Sequence, residues 1–172
     1  MNVQPFLIGD DWNEVLDGDP TARDLFRRHY SYRPRVGGRA NELFVGPGFK
    51  YLLLARDGGA LCAWRKEKHR ADGQIGVECS IYRRESGGLA SELLRKAMAM
   101  AWERFPAERL FTFVDPLKVP PTMQRGRPVW GFCFYKAGWR FAGLTKKGLH
   151  ILECWPETIK GNTADCAGSL PT

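Results

Sequence analysis

A basic turn that contains two adjacent glycines has the residue types of an anion-binding site. Arg83 and Arg84 precede Ser86, Gly87 and Gly88, and the turn lies between an apolar segment and an amphipathic one. Guanidinium groups and the N–H groups at a helix N-terminus both favour negative charge. The sequence therefore predicts that these five residues bind an anionic cofactor, although a strand–helix crossover without any ligand has the same pattern.

A single carboxylate stands at the end of the next apolar segment. Asp115 directly follows Leu110–Val114, a run rich in aromatic and β-branched residues, and it precedes Pro116. Such a run is typical of a buried strand, and the residue before a proline favours extended backbone. Asp115 is therefore predicted at the mouth of a strand, where it either takes part in chemistry or forms the following turn.

Arginines are concentrated around polar aromatic residues in the first quarter of the chain, beside His29, Tyr30 and Tyr32. Residues 1–20 carry five acidic side chains and no basic one, whereas residues 21–154 carry 25 basic and 12 acidic ones. Guanidinium groups suit phosphate, so the pattern favours a polyanionic partner, which the family resemblance described below identifies as double-stranded DNA, and a solvated basic surface is the alternative. The arginines predicted to contact DNA are Arg27, Arg28, Arg33, Arg35, Arg39, Arg125 and Arg127.

The elements that would position these residues form a strand–turn–helix–strand unit. Val77–Tyr82 is predicted as a strand, and Leu89–Phe105 as a helix because its apolar residues recur every three or four positions. Pro106 ends this helix, and Leu110–Val114 then forms the second strand. The basic turn is thereby placed at the helix N-terminus, and Asp115 at the end of the second strand.

The rest of the chain predicts further elements around this unit. Two strands joined by a glycine turn are expected at Lys50–Ala55 and Ala60–Lys66, and one or two short helices between Asp11 and Tyr30. Val119–Trp130 is predicted as a long loop, because prolines and glycines interrupt it. A helix and two more strands are expected from Trp130 to Cys154.

Composition predicts one domain, spanning residues 1–154, followed by a loosely ordered tail at 155–172. No apolar run is long enough to span a bilayer, and the N-terminus lacks the layout of a signal peptide, so we expect no membrane partner and a cytoplasmic protein. The five cysteines contain no Cys-x-x-Cys pair, which favours buried free thiols over a zinc or disulfide framework.

The C-terminal third resembles the GNAT acyltransferase superfamily. Its Phe134-Tyr135-Lys136-Ala137-Gly138-Trp139 pattern is similar to the end of the helix that follows the superfamily's central unit, whereas the glycines of the basic turn are shifted from their usual positions. The resemblance implies a single-domain α+β (α/β) fold, in which a mixed central sheet is splayed between two strands and flanked by helices. It also implies an acyl-CoA donor such as acetyl-CoA.

Several ordered motifs between residues 20 and 154 resemble the Mom family of phage DNA-modification proteins. These motifs are Arg27-Arg28-His29-Tyr30-Ser31, Gly46-Pro47-Gly48, Ala63-Trp64-Arg65, the block from Ser86 to Phe105, Val114-Asp115-Pro116, and Ala137-Gly138-Trp139-Arg140. The resemblance implies an enzyme, in the host cytoplasm if a phage encodes it, that converts adenine in DNA to its carbamoylmethyl derivative on the exocyclic amine. That modification protects DNA from restriction.

This chemistry assigns catalytic roles as hypotheses. The amine of adenine is a weak nucleophile, so Asp115 is predicted to accept its proton. His29 and Tyr30 are predicted to hold or stack the extruded base, although both could be structural, and Ser91 is predicted to contact the base or donor unless it caps the helix. A metal such as iron, held by His29, Tyr30 and Asp115, is a further hypothesis.

The donor and the oligomeric state stay open. Acetyl transfer alone does not give a carbamoylmethyl group, so a glycyl donor is the alternative to acetyl-CoA, and a homodimer is one of the open oligomeric states. Two other functions compete: an acyl-CoA-dependent N-acyltransferase that acts on a protein or small amine, and a DNA-binding module without catalysis. Tight binding of acetyl-CoA in the absence of DNA would favour the first of these two.

Overall fold

A computed structural model of the chain describes residues 11–34, 37 and 42–159. Seven strands form one sheet in the order β1-β2-β3-β4-β5-β9-β8, and β6 and β7 form a separate hairpin. The elements are β1 Trp12–Val15, α1 Pro20–Arg27, β2 Phe49–Ala55, β3 Ala60–Lys66, β4 Val77–Arg84, α2 Ala90–Arg104, β5 Leu110–Val114, β6 Thr122–Gln124, β7 Arg127–Val129, α3 Phe132–Lys136, β8 Arg140–Leu144 and β9 His150–Cys154.

The sheet is mixed, because one pair of neighbouring strands runs parallel while the others run antiparallel. β4 and β5 are the parallel pair, and α2 forms the crossover between them. Parallel strands need such a crossover, because a tight turn can join only antiparallel strands. The predicted α+β fold with a mixed central sheet and flanking helices is confirmed, and it is the architecture that the resemblance to the GNAT superfamily implies.

Helices cover both faces of the sheet. On one face α2 buries Leu94, Ala97 and Met98 completely, in a core that also contains Phe134 and Trp139. On the other face α1 buries Ala22 and Leu25 in a smaller cluster over β2, β3 and β4. The two faces explain why β3 is apolar at almost every position, since both sides of that strand are covered.

Between Asp11 and Tyr30, where one or two short helices were predicted, the structure has one helix and one strand. Residues 12–15 form the edge strand β1, which pairs antiparallel with β2, and only Pro20–Arg27 is helical. Asp19 caps α1 by accepting a hydrogen bond from the Ala22 amide at 2.9 Å, and Pro20 occupies the first helical position. The helix prediction was wrong for β1, because pairing with β2 and burial of Trp12 decide its conformation.

The segment predicted as a long loop, Val119–Trp130, contains the hairpin of β6 and β7. Its two-residue turn has Arg125 at φ 49° and Gly126 at φ 76°. Positive φ at both turn positions is the type I′ pattern that joins short antiparallel strands. The loop prediction was wrong here because arginine at the first turn position gives no hairpin signal.

The structure also describes four of the five cysteines and the start of the C-terminal tail. Cys62, Cys79 and Cys154 are buried free thiols, as predicted, and Cys133 is a half-buried free thiol, while Cys166 lies outside the described residues. Within residues 11–159 as described, no helix has both the length and the apolar character needed to cross a bilayer. Residues 156–159 form one helical turn, and the tail beyond them lies outside the described part.

Candidate active site

The two parallel strands at the centre of the sheet separate after a short contact. β4 and β5 are paired only at Val77 with Leu110 and at Glu78 with Phe111. Just beyond these pairs, the Thr112 hydroxyl donates a 2.8 Å hydrogen bond to the Cys79 carbonyl. The side chain thus takes the place of a backbone partner at the point where the strands diverge.

A bulge in β4 marks the same place. Ala63 of β3 lies opposite Ile81 and Trp64 opposite Cys79, which leaves Ser80 without a partner residue in the register. The Ser80 hydroxyl instead donates to the Ala63 carbonyl at 3.2 Å. An extra residue bends a strand and increases its local twist, so the bulge turns β4 away from β5. The predicted splay of the sheet is confirmed and has this local cause.

A cleft of about 400 Å³ occupies the gap between the diverging strands. Residues from five parts of the chain line it: the segment after α1, strand β4, strand β5, the turn after β5, and the start of α3. They are Arg28, His29, Tyr30, Cys79, Ser80, Tyr82, Arg83, Arg84, Thr112, Phe113, Val114, Lys118, Val119, Pro120, Gly131, Cys133 and Phe134. This cleft is the candidate active site, and sequence analysis had assigned five of its residues to a site: Arg28, His29, Tyr30, Arg83 and Arg84.

His29 and Tyr30 lie across the gap between the two strands. The Tyr30 hydroxyl donates a 3.0 Å hydrogen bond to the Phe113 carbonyl of β5. The His29 ring lies beside the backbone of Tyr82 in β4 and 4.5 Å from the Tyr30 ring centre. Two consecutive residues therefore contact the two separated strands and close one side of the cleft.

The environment of these two side chains keeps both of them neutral. Burial, together with the nearby positive charge of Arg83, lowers the pKa of His29 to about 4. Burial raises the pKa of Tyr30 to about 12, although the backbone of Asp115 opposes that shift. At neutral pH the cleft therefore presents a neutral imidazole, whose Nδ1 lies 2.8 Å from the Ser31 hydroxyl, and a phenol that keeps its proton.

The basic turn is held by hydrogen bonds within the protein. Glu85 accepts hydrogen bonds from Arg28 at 2.7 and 2.8 Å and from Arg83 at 2.7 Å. These guanidinium groups, Arg28 first, lower the pKa of Glu85 to about 2. Arg84 donates to the carbonyls of Gly87 and Gly88 at 3.2 and 3.0 Å. The arginines thus shape the turn and line the cleft at the same time.

The first part of the turn is fastened to the loop between β2 and β3. The amides of Glu85 and Ser86 donate to the Gly59 carbonyl at 2.7 and 3.2 Å, and the Ser86 hydroxyl donates to Asp57 at 2.9 Å. A Cβ at Gly59 would lie 1.6 Å from the Ser86 oxygen. The close approach requires glycine at this position, and Ser86 therefore has a structural role in the turn.

The second part of the turn leaves backbone donors free. Within the described residues, the N–H groups of Gly87, Gly88 and Leu89 have no acceptor, and α2 begins at Ala90 without a side-chain cap. Free N–H groups at a helix N-terminus, next to guanidinium groups, suit a phosphate or diphosphate. The residues present thus fit the anionic part of a nucleotide-linked acyl donor.

Asp115 and Ser91 lie outside the cleft lining. The Asp115 carboxylate accepts a 3.0 Å hydrogen bond from the Leu117 amide and lies 3.7 Å from the Lys118 ammonium. Its carbonyl also accepts from the amides of Lys118 and Val119, so Asp115 forms the turn that carries these two cleft residues. Ser91 is half-buried in the first turn of α2, and its hydroxyl makes no hydrogen bond within the described part.

No metal centre is evident in the part of the chain that the structure describes. Within it, no three side chains of His, Cys, Asp or Glu come together as a metal ion requires. The hypothesis that His29, Tyr30 and Asp115 hold an iron ion therefore finds no support. The cleft thiols do not suggest one either, because burial raises the pKa of Cys133 to about 11.

The arginines predicted to contact DNA fall into two groups. Arg27 pairs with Asp24 at 3.2 Å, and Arg28 pairs with Glu85, so both are engaged within the protein. Arg33, Arg125 and Arg127 are exposed and have no acidic partner among the described residues. Arg35 and Arg39 lie outside the described residues.

Several cleft residues carried little sequence signal. Ser80, Thr112 and Cys133 are small polar residues inside segments recognised only as strand or helix, and Lys118 lies just before the segment predicted as a loop. Thr112 is the one polar residue within Leu110–Val114, and that is the sole signal that pointed to it. Their shared location depends on how far β4 and β5 separate.

Comparison with known proteins adds little to this picture. No family model matches the chain, and no curated protein sequence matches it. Among solved structures, the crystal structure of an acetyltransferase from Thermus thermophilus is similar over 84% of this chain and 97% of that chain, with 16% sequence identity and a TM-score of 0.48. The chemistry of the cleft has to be inferred from the residues of this chain.

Proposed function

We propose that this chain is a GNAT-like transferase that modifies the exocyclic amine of adenine in double-stranded DNA. The observation that carries the proposal is the cleft between β4 and β5, which has the free N–H groups of the basic turn near it and the neutral pair His29 and Tyr30 along one side. The family resemblance implies the carbamoylmethyl product. The surplus of basic residues in the body of the chain favours DNA as the acceptor.

The donor is expected to bind at the basic turn. Arg83 and Arg84 line the cleft. The free N–H groups of Gly87 and Gly88 could donate hydrogen bonds to an anionic group such as the diphosphate of a CoA thioester. When bound, such a donor supplies an activated acyl carbon. The chain's own contribution is to hold the phosphate end at α2, so that the acyl end enters the gap between the strands.

The acceptor amine must lose a proton when its nitrogen forms the new bond. His29 lines the cleft and is neutral at pH 7, so its imidazole is the proposed acceptor of that proton; its Nδ1 also lies 2.8 Å from the Ser31 hydroxyl and accepts from the Ser31 amide at 3.3 Å, contacts that must be exchanged for the proton. A low pKa is sufficient, because a protonated amine bonded to an acyl carbon is itself strongly acidic. The half-buried Tyr30 ring beside His29 offers a surface on which an extruded base can stack.

The carbamoylmethyl product requires a nitrogen in the transferred group. With a glycyl donor, the adenine nitrogen bonds to the glycyl carbonyl carbon while the bond from that carbon to the leaving group breaks. The leaving group takes up the proton released by the amine. The glycyl and carbamoylmethyl adducts are isomers, so a later rearrangement needs neither an oxidant nor a reductant.

Mass spectrometry of nucleosides tests the proposal. Plasmid DNA from cells expressing the chain should yield an adenosine species heavier by a carbamoylmethyl group, absent from cells with an empty vector. Growth on isotopically labelled glycine should transfer label to that species if the donor is glycyl. Unmodified DNA from cells that contain soluble protein would contradict the proposed substrate.

The free N–H groups of the turn also favour a second function, acyl-CoA-dependent N-acylation of a protein or small amine. They suit a CoA diphosphate whatever the acceptor is. Calorimetric titration with acetyl-CoA in the absence of DNA separates the two functions. Tight binding, combined with unmodified DNA in expressing cells, would favour the second one.

A further inference from the structure

A second cavity, of about 510 Å³, lies beside the hairpin of β6 and β7 and is separate from the cleft. Its walls come from the hairpin, α3, β8 and β9. Five aromatic rings dominate its lining: Trp130, Phe132, Tyr135, Phe141 and His150. We call this site the aromatic cavity. None of these residues was assigned a role by sequence analysis or by the proposed function.

The rings of the aromatic cavity are arranged around His150. Trp130 and Phe141 each lie 5.4 Å from the His150 ring, with interplanar angles of 71° and 77°. Phe141 is 50% exposed, although it belongs to the sheet. A half-exposed ring in an aromatic cluster offers a face to a planar ligand, whereas rings of the main core such as Trp139 are already covered on both sides.

One ring of the aromatic cavity also carries a polar group that lacks a partner. The Trp130 indole nitrogen is shielded from solvent and has no hydrogen-bond acceptor among the described residues. Gln124 lies on the rim and carries both donors and acceptors. A ligand with a flat aromatic body and polar groups on its edge would suit the rings and the Gln124 side chain.

Charge around the aromatic cavity identifies the kind of molecule that carries such a ligand. Arg125 in the hairpin turn and Arg127 at the start of β7 are exposed and have no acidic partner within the described residues. A phosphodiester strand provides the negative charge that two unpaired guanidinium groups attract, and its bases provide the planar rings. An acidic peptide supplies the charge but not a ring at each position.

A short stretch of chain separates the aromatic cavity from the cleft. Trp130 and Phe132 line the cavity, whereas Gly131 and Cys133 between and after them line the cleft. The two sites therefore lie on either side of the same short segment. We infer that the aromatic cavity binds a base of the DNA strand, displaced from its stack, next to the reacting adenine; this inference rests on the proposed DNA substrate.

The test compares two DNA duplexes of identical sequence that differ at one central position. One carries an unpaired adenine, which leaves the stack easily, and the other an abasic site. Fluorescence anisotropy at fixed salt should show that the wild-type protein binds the adenine duplex about tenfold more tightly, since a base can stack on the aromatic side chains and an abasic site cannot.

Single substitutions test whether the aromatic cavity causes the preference for the adenine duplex. Trp130→Ala and Phe141→Ala should each reduce the tenfold preference to below about twofold, while binding of the abasic duplex and its salt dependence stay unchanged. Trp130→Phe keeps a ring and should restore most of the preference. Phe49→Ala removes another exposed phenylalanine, 74% accessible on β2 and outside the cavity, and should leave the preference intact.

The outcomes separate the inference from the proposed function. A wild-type protein that modifies DNA but binds both duplexes equally would overturn the inference alone. The same holds if the preference survives in both alanine variants, because the base is then held elsewhere. A wild-type protein that neither binds nor modifies DNA would overturn the proposed function, and the base-binding role with it.

Discussion

The Tyr30 hydroxyl donates a 3.0 Å hydrogen bond to the Phe113 carbonyl, across 83 positions of the chain. Phe113 belongs to the part of β5 that has separated from β4, so its carbonyl has lost the partner that a neighbouring strand would supply. Tyr30 supplies one instead and fastens the segment after α1 to the cleft. The arginine-rich segment and the candidate active site are therefore parts of one surface.

Replacing Tyr30 by phenylalanine should weaken both the fold and the activity. The ring is retained, but the Phe113 carbonyl loses its donor, which should lower the free energy of unfolding by about 1 kcal/mol. The modified adenosine in plasmid DNA should fall at least about tenfold, because the segment that carries His29 loses its attachment to β5. Urea denaturation and nucleoside mass spectrometry measure the two effects.

Tyr32→Phe provides the matched control. Tyr32 is half-buried and packs edge-on against Phe26 at 5.5 Å, and its hydroxyl has no hydrogen-bond partner within the described residues. This variant should keep wild-type stability and activity. Equal effects of the two substitutions would show that the hydrogen bond to Phe113 has no special importance.

The central strand–helix–strand unit could be predicted because its signals are local. Leu93, Leu94 and Met98 recur at helical spacing in the sequence, and they are the residues that α2 buries. Strand β1 could not be predicted, since four residues carry little pattern and Trp12 is fixed by burial and by a hydrogen bond to the distant Leu93 carbonyl. The same reason applies to the hairpin of β6 and β7.

The site was predicted by residue type rather than by geometry. His29 and Tyr30 were recognised as polar aromatic residues among arginines, but nothing in their spacing indicates that they contact β4 and β5. Asp115 was placed correctly at the end of β5, whereas the direction of its carboxylate depends on the turn at Leu117. Contacts between segments far apart in sequence have no periodicity that a sequence can show.

The stability of the protein should fall between pH 6.5 and pH 4 because of His29. Its pKa is lowered to about 4 in the folded state, so between these values the unfolded chain binds a proton that the folded protein does not. Stability therefore decreases as the pH falls, by at most about 1.4 kcal/mol per pH unit, and the decrease stops near pH 4. Urea denaturation at pH 7, 6 and 5 measures it.

His29→Asn should flatten this dependence, whereas His69→Asn should not. His69 is exposed in the loop between β3 and β4 and thus serves as the control. If the two variants lose stability with acid as steeply as the wild type, other groups cause the acid sensitivity and the neutral state assigned to His29 is wrong.

Gly59→Ala should destabilise the protein through the basic turn. The new Cβ would lie 1.6 Å from the Ser86 oxygen and 2.9 Å from the Ser86 Cβ, so rotation of the hydroxyl alone does not remove the overlap. We expect a loss of about 1–3 kcal/mol in the free energy of unfolding. Gly88→Ala has open space for its Cβ and should cost far less. Thermal or urea unfolding of both variants distinguishes a required close approach from a general effect of losing glycine.

The proton acceptor can be identified by comparing His29→Asn with Asp115→Asn. His29 lines the cleft, so its loss should lower the modification rate by about 10²-fold or more. In Asp115→Asn the amide oxygen can still accept from the Leu117 amide, the turn should persist, and we expect less than about a tenfold loss. The modified fraction of adenosine over a time course gives both rates. The opposite order would make Asp115 the base, as sequence analysis predicted.

The exposed arginines of the hairpin should contribute to DNA affinity through charge. Each guanidinium that contacts a phosphate adds about 0.9 to the slope of log affinity against log salt concentration. Replacing Arg125 and Arg127 together by glutamine should therefore weaken binding at low salt and make the slope shallower by about two. Arg27→Gln is the matched control, because Arg27 is already paired with Asp24 and should change the slope little. An unchanged slope in the double variant would mean that bound DNA does not reach the hairpin. The two arginines would then not bring DNA to the neighbouring aromatic cavity, which would contradict its base-binding role.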